Sequence, residues 1–281
     1  MTHPWRTGTV ESGGETIYYE VTGAGTDPVV LLTHGAGGSH AAWFQQVPAL
    51  AAAGYRVVTW DSRGFGLSTL ATGSLGAAEA VADMVTVLDA VDARAAHLIG
   101  QSMGGWWVTA FALAHPERVR SLTLSNTVGG LWTDALRVHF AAWAGTAPGA
   151  DERRLGVHSA LSPSFAARDP AHAFLYQQLN TFHSPPMAAV GRALTGTRVE
   201  HAALDAVGVP ILVITGTDDE LFPAPLVTES AGMLARSRVV EIADAGHSPY
   251  FERPGQYNAA LLEFLATASD APSSSRFDET S

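Results

Sequence analysis

Three residues in this chain have the types needed to turn a hydroxyl into a nucleophile: Ser102, Asp219 and His247. A serine hydroxyl is a weak nucleophile. It needs a base to take its proton and an acid to hold that base. Ser102 lies in Gly100-Gln101-Ser102-Met103-Gly104, a G-x-S-x-G stretch between an apolar run and a helical one. A turn this sharp leaves no space for side chains on either flank, so glycine is required at both ends. The turn lifts the serine hydroxyl to a helix N-terminus, where free N–H groups and the dipole favour developing negative charge. Downstream, the apolar run 210–216 opens into Thr217-Asp218-Asp219-Glu220, and the run 238–244 opens into Ala245-Gly246-His247. The order Ser, Asp, His is the one expected for a serine at a strand-to-helix elbow. Two backbone donors are needed for the oxyanion. The expected ones are the N–H of Met103, directly after the serine, and that of Ala36 in the glycine-rich loop 35–38.

The elements that must carry these residues alternate in type. ETIYYEV (15–21) alternates as a strand does. PVVLLTH (28–34), YRVVTWD (55–61), AHLIGQS (96–102), SLTLSNT (121–127), PILVITG (210–216) and RVVEIAD (238–244) are mostly continuous apolar runs, as buried parallel strands are. Between them, 41–53, 77–91 and 103–116 have helical spacing, and a last helix is expected over about 254–266. The pattern predicts an α/β fold whose sheet is covered on both faces. The alternation stops between 129 and 207, which carries many His, Trp and Pro residues and reads as a helical cap inserted into a core formed by 1–128 and 208–268. The polar tail 269–281 reads as disordered.

Composition narrows the function. The 281 residues are 47% hydrophobic and 15% charged, enough apolar content for a sizeable core. A net charge of −11 without any Lys/Arg cluster argues against a nucleic-acid partner. The chain has no cysteine, which removes disulfides, thiolate nucleophiles and Cys-ligated metals. No HExxH or comparable spacing predicts a metal, and no cofactor is expected. The start of the chain lacks a signal-peptide pattern, and no apolar run is long enough to span a bilayer, so a cytoplasmic protein without membrane contact is expected.

The chain resembles the α/β-hydrolase superfamily over about residues 7–267. The resemblance rests on His34-Gly35, Asp61-Ser62-Arg63-Gly64-Phe65-Gly66-Leu67-Ser68, GQSMGG (100–105), HPERV (115–119), Gly216 to Pro223 and GHSPYFERP (246–254). It implies a mostly parallel eight-stranded sheet with a helical cap after strand six. It also selects Asp219 over Asp218, since the family acid lies three residues after the strand-end glycine. Some members place the acid after strand six, where this chain has Ser125-Asn126-Thr127 and no acid. Within the superfamily the chain looks most like the 3-oxoadipate enol-lactonase and small-esterase branch, which implies a small ester or lactone as substrate. Related branches with the same three residues cleave carbon–carbon bonds or act as cofactor-free perhydrolases and haloperoxidases.

Two other classes compete. Gly35-Ala36-Gly37-Gly38-Ser39-His40, with Asp61 at the end of the next strand, is the outline of a dinucleotide site, but His40 stands where that motif needs a third glycine. A binding module that keeps the three residues and turns over slowly is the other. Asp61 and Arg63 are expected to organise their own loop. Trp132, His139, Phe140 and Trp143 are expected to pack within the cap.

Overall fold

Alternate residues of a single strand go to opposite faces of the sheet and feed two separate cores. In the strand Val29–Thr33, Val29 and Leu31 join one apolar cluster, while Val30 and Leu32 join the other. In Ile211–Gly216, Ile211 and Val213 divide from Leu212 and Ile214 in the same way. A strand covered on both faces must be apolar along its whole length, which is why these runs are continuous in sequence.

The computed structural model describes residues 3–24, 28–144, 155–195 and 197–269. The chain forms β1 (Trp5–Ser12), β2 (Glu15–Thr22), β3 (Val29–Thr33), α1 (Val47–Ala52), β4 (Arg56–Trp60), α2 (Ala77–Ala90), β5 (Ala96–Gln101), α3 (Met103–Ala114) and β6 (Val119–Ser125). Among the described residues five helices follow: α4 (Asp134–Ala144), α5 (Phe165–Arg168), α6 (Pro170–Leu179), α7 (Met187–Thr195) and α8 (His201–Asp205). The sheet resumes with β7 (Ile211–Gly216), α9 (Ala224–Ala231) and β8 (Ser237–Ile242), and α10 (Pro249–Glu252) and α11 (Pro254–Ser269) close the described chain.

The eight strands lie in the order β1-β2-β4-β3-β5-β6-β7-β8. β1 and β2 form an antiparallel hairpin and β2 runs antiparallel to β4, while the other pairs are parallel. The register sets Gln101 opposite Ser125, Ser125 opposite Ile214, and Gly216 opposite Ile242. The C-terminal ends of β5, β6, β7 and β8 therefore finish level, and the loops that follow them meet at one edge.

Some elements depart from the sequence pattern. β1 was not among the strand-like runs. It is a mostly exposed edge strand whose buried residue is Ser12, so it has no apolar alternation to display. The expected helix 41–53 is instead a 3₁₀ turn at His40–Trp43 followed by α1, with Pro48 in the first turn of α1. Proline suits a first turn and not a helix interior, so one long helix cannot pass through it. The last helix runs three residues beyond 266, to Ser269. The rest of the expected disordered tail lies outside the described residues. Among the described residues no helix is long and apolar enough to cross a membrane.

Candidate functional site

The elbow between β5 and α3 is built by close backbone approach. A Cβ on Gly104 would strike the carbonyl oxygens of Thr33 and His34 on the neighbouring strand end, and one on Gly100 would strike the Gly104 backbone and Val108. Both positions must be glycine for α3 to seat against β3. Ser102 between them has φ 50° and ψ −119°, a left-handed conformation rare for a residue with a side chain. The surrounding backbone enforces it: Ser102 N–H donates to Ser125 O at 3.0 Å and Gly105 N–H to Ser102 O at 2.9 Å.

That conformation carries Ser102 Oγ to 2.8 Å from His247 Nε2. His247 Nδ1 lies 2.9 Å from Asp219 Oδ2. An ionised carboxylate only accepts, so Nδ1 carries the proton and Nε2 is left to accept from the serine hydroxyl. Asp219 and His247 are buried, at 3% and 5% exposure. Asp219 is held from every side: Oδ1 accepts the N–H groups of Leu221 (2.9 Å) and Phe222 (3.0 Å), while Oδ2 accepts Asn126 Nδ2 (2.9 Å) as well as His247. Its neighbour Asp218 takes the hydroxyl of Thr217 and does not reach the histidine. The three residues expected from sequence thus meet in one hydrogen-bonded line.

The two residues expected to supply oxyanion donors, Met103 and Ala36, belong to the elbow and to the loop beside it. Met103 is the first residue of α3, so its N–H has no carbonyl within its own helix to reach. A Cβ on Gly35 would come within 3.0 Å of Ser102 Cβ, so the loop carrying Ala36 is pressed against the elbow. His34 fixes that loop. Its buried ring accepts the Ser62 N–H on Nε2 (3.0 Å), so its proton sits on Nδ1 and is donated to Gly35 O at 2.7 Å. Burial lowers the His34 pKa and keeps the ring neutral, despite the attraction of Asp61. Gly38 N–H closes the turn onto the same carbonyl at 3.1 Å.

Three further residues, none of them among the expected site residues, hold the loops of the site. Asn126 Nδ2 donates to Asp219 Oδ2 and to Gly246 O (3.1 Å). Gln101 Nε2 donates to His247 O at 3.0 Å. Glu252 accepts Gly246 N–H at 2.8 Å and Ser162 N–H at 2.9 Å. Burial raises the Glu252 pKa in spite of these two donors. Gln101 lies inside GQSMGG and Glu252 inside GHSPYFERP, so those two had a sequence signal, and Asn126 had none. The partners of Asn126 are set by strand register and loop contact, which no local pattern encodes.

The helical segment between β6 and β7 touches each of these loops. Tyr176 of α6 shares a hydrogen bond with Ser248 at 2.8 Å, and His183 O accepts Gly66 N–H at 2.9 Å. His139 of α4 donates from Nε2 to Glu220 O at 2.8 Å. Phe140 stacks on Phe222 at 5.9 Å, and Phe222 in turn lies 5.8 Å from the His247 ring. Trp132 and Phe140 thus pack on Phe222, the ring that lies against the base.

The glycine-rich loop does not form a dinucleotide site. It leads into the short 3₁₀ turn rather than a long helix, and Asp61 is fully buried. The Asp61 carboxylate already accepts His40 N–H (2.6 Å), Leu67 N–H (2.8 Å) and the His40 ring. Arg63 turns away to a buried two-point ion pair with Asp83 at 2.6 and 2.8 Å. Among the described residues no group of three or more His, Cys, Asp or Glu is placed to hold a metal ion.

Comparison with known proteins places this arrangement in a family. The α/β hydrolase fold family matches residues 28–254. A Mycobacterium tuberculosis protein named "Putative non-heme bromoperoxidase BpoC" is 33% identical over 270 residues, covering 89% of this chain and 97% of that protein. A Variovorax paradoxus protein named "Putative carbamate hydrolase RutD" is 32% identical over 275 residues, covering 90% and 97%. The fold is shared with a thermophilic esterase from Thermogutta terrifontis, at a TM-score of 0.78 and 24% identity over 94% of this chain and 99% of that one. The chain belongs to the α/β hydrolase fold family and is a hydrolase.

Proposed function

We propose that this enzyme cleaves a small carboxylic ester or lactone through an acyl-enzyme on Ser102. The observation that carries the reading is the line from Ser102 Oγ to His247 Nε2 (2.8 Å) and from His247 Nδ1 to Asp219 Oδ2 (2.9 Å), at a left-handed elbow. His247 Nε2 takes the hydroxyl proton as Oγ attacks the carbonyl carbon. The carbonyl π electrons move to oxygen, and the N–H groups of Met103 and Ala36 receive that oxyanion. Collapse breaks the bond to the leaving oxygen, which departs as an alcohol with the proton from His247. Water then gives a proton to His247 and attacks the acyl carbon, and the second collapse returns the proton to Ser102 and releases the acid. Asp219 holds the imidazole tautomer and stabilises the imidazolium; it does not itself gain a proton. Each oxyanion donor is worth roughly two to three orders of magnitude in turnover.

Residues 129–207 act in this reading as a cap that shapes the pocket. Support comes from the contacts of α4, α6 and the 180–186 segment with the loops that carry the acid, the base and the glycine turn.

A second outcome of the same acyl-enzyme has support in the name of the 33% identical relative. Hydrogen peroxide can replace water at the deacylation step, releasing a peracid able to oxidise halide.

The test is hydrolysis of a panel of short aryl esters and small lactones, with and without hydrogen peroxide, with Ser102→Ala as the blank. The reading expects turnover that vanishes in Ser102→Ala, and peracid if the second outcome operates. Near-normal turnover in Ser102→Ala would refute it.

A further inference from the structure

Asn126 stands buried at the end of β6 with φ 48°, in the left-handed region that asparagine adopts more readily than most residues with a side chain. Its backbone is anchored, since its N–H donates to Ile214 O on β7 at 2.8 Å. Its amide nitrogen makes two bonds, one to Asp219 Oδ2 at 2.9 Å and one to Gly246 O at 3.1 Å. Both partners are acceptors, so the NH₂ group must face them and the amide cannot be turned round. The amide oxygen is left without a hydrogen-bond partner inside the protein. A buried orphan acceptor carries a cost, and here it accompanies two donors aimed at the acid and at the residue before the base.

We propose that Asn126 is a positioning residue for the Asp219–His247 pair, acting as a clamp from a third strand. One N–H occupies part of the Oδ2 oxygen that His247 also uses, and so fixes how the carboxylate is rotated toward the imidazole. The other holds the peptide leading into His247. This rests on the acyl-enzyme reading above. The titratable groups facing the amide are Asp219 and His247, with Glu252 across Gly246 and Tyr257 of α11 behind Ser125.

Two variants separate this role from support of the fold. Glycine adopts a left-handed backbone without strain, so Asn126→Gly keeps the turn and removes the amide. It is expected to lower kcat on the best ester of the panel by about 10- to 100-fold, the scale of a hydrogen bond to a charged group. KM should stay within about twofold, because no ground-state substrate contact is lost. Asn126→Asp keeps the shape and puts a second carboxyl beside Asp219. Two such groups at this distance cannot both ionise easily. While protonated, the new carboxyl donates to Asp219 as the amide did; once ionised it repels both the carboxylate and the Gly246 carbonyl. The ratio of variant to wild-type kcat is therefore expected to fall as pH rises.

Wild-type kcat in Asn126→Gly, with Ser102→Ala inactive, would overturn the clamp and leave the acyl-enzyme intact. Turnover persisting in Ser102→Ala would overturn both. If Asn126→Gly fails to fold, the nearly isosteric Asn126→Asp decides: a ratio that falls with pH supports the clamp, and one that does not change with pH overturns it.

Discussion

Among the described residues two buried aspartates are each bonded to a histidine Nδ1 at 2.9 Å, and the two pairs end on different groups. Asp219 and His247 end at the Ser102 hydroxyl. Asp61 and His40 end at Glu20, whose Oε1 lies 3.5 Å from His40 Nε2, with the Tyr18 ring 4.9 Å away. An imidazole between two carboxylates is favoured in its charged form. Burial alone would lower the His40 pKa, but the Asp61 hydrogen bond and the charges of Asp61 and Glu20 together raise it. Burial likewise opposes ionisation of Asp61, yet its hydrogen bonds and charge contact with His40 hold its pKa down. That pair is a structural ion pair, tying the turn after β3 to the loop after β4. An Asp–His distance therefore does not make a base. What matters is the group at the far nitrogen: a hydroxyl leaves it free to accept a proton, whereas a carboxylate keeps it protonated.

Substitution separates the two pairs. His247→Ala should lower kcat by up to on the order of 10⁶, because the serine is powerless without its base. Asp219→Asn should lower it by about 10⁴, through the wrong imidazole tautomer. Its counterpart Asp61→Asn should leave kcat within about tenfold of wild type while costing about 3 kcal/mol of stability, read from urea unfolding, because it breaks a buried pair away from the reacting atoms. A loss of kcat in Asp61→Asn as large as in Asp219→Asn would erase the distinction.

The smallest effect concerns pH. The His40 pKa is higher in the folded state than the ordinary 6.5, so its contribution to stability is fully present below 6.5 and is lost as pH rises through the folded value. The stability gap between wild type and His40→Gln, roughly 1 kcal/mol at pH 6, should shrink by pH 9. A gap that stays constant would mean that His40 is neutral in the folded protein.

The same contrast explains what the sequence could disclose. Ser102 and Asp219 each follow an apolar run that must be a buried strand, so strand and residue announce each other within about ten positions. β3 to β7 were legible for the same reason, whereas β8, the edge strand before His247 with only Ile242 buried, was marked by its short Val239-Val240 run alone. β1 was not, because an edge strand with Trp5 63% exposed has no core face to advertise. Asn126 was read only as a missing acid. Its role depends on β6 and β7 finishing level and on the loops after β7 and β8 folding over it, which are contacts across 93 and 120 residues. The break in the 41–53 helix was visible at Pro48, but helical periodicity ran through it.

The most direct test of the account is to trap the acyl-enzyme. The protein would be mixed with an activated short aryl ester, quenched in acid within the first turnovers, and the peptide containing Ser102 weighed by mass spectrometry. The account expects that peptide to gain the mass of the acyl group on Ser102, and Ser102→Ala to show neither adduct nor turnover. Steady turnover without an adduct, retained in Ser102→Ala, would contradict it.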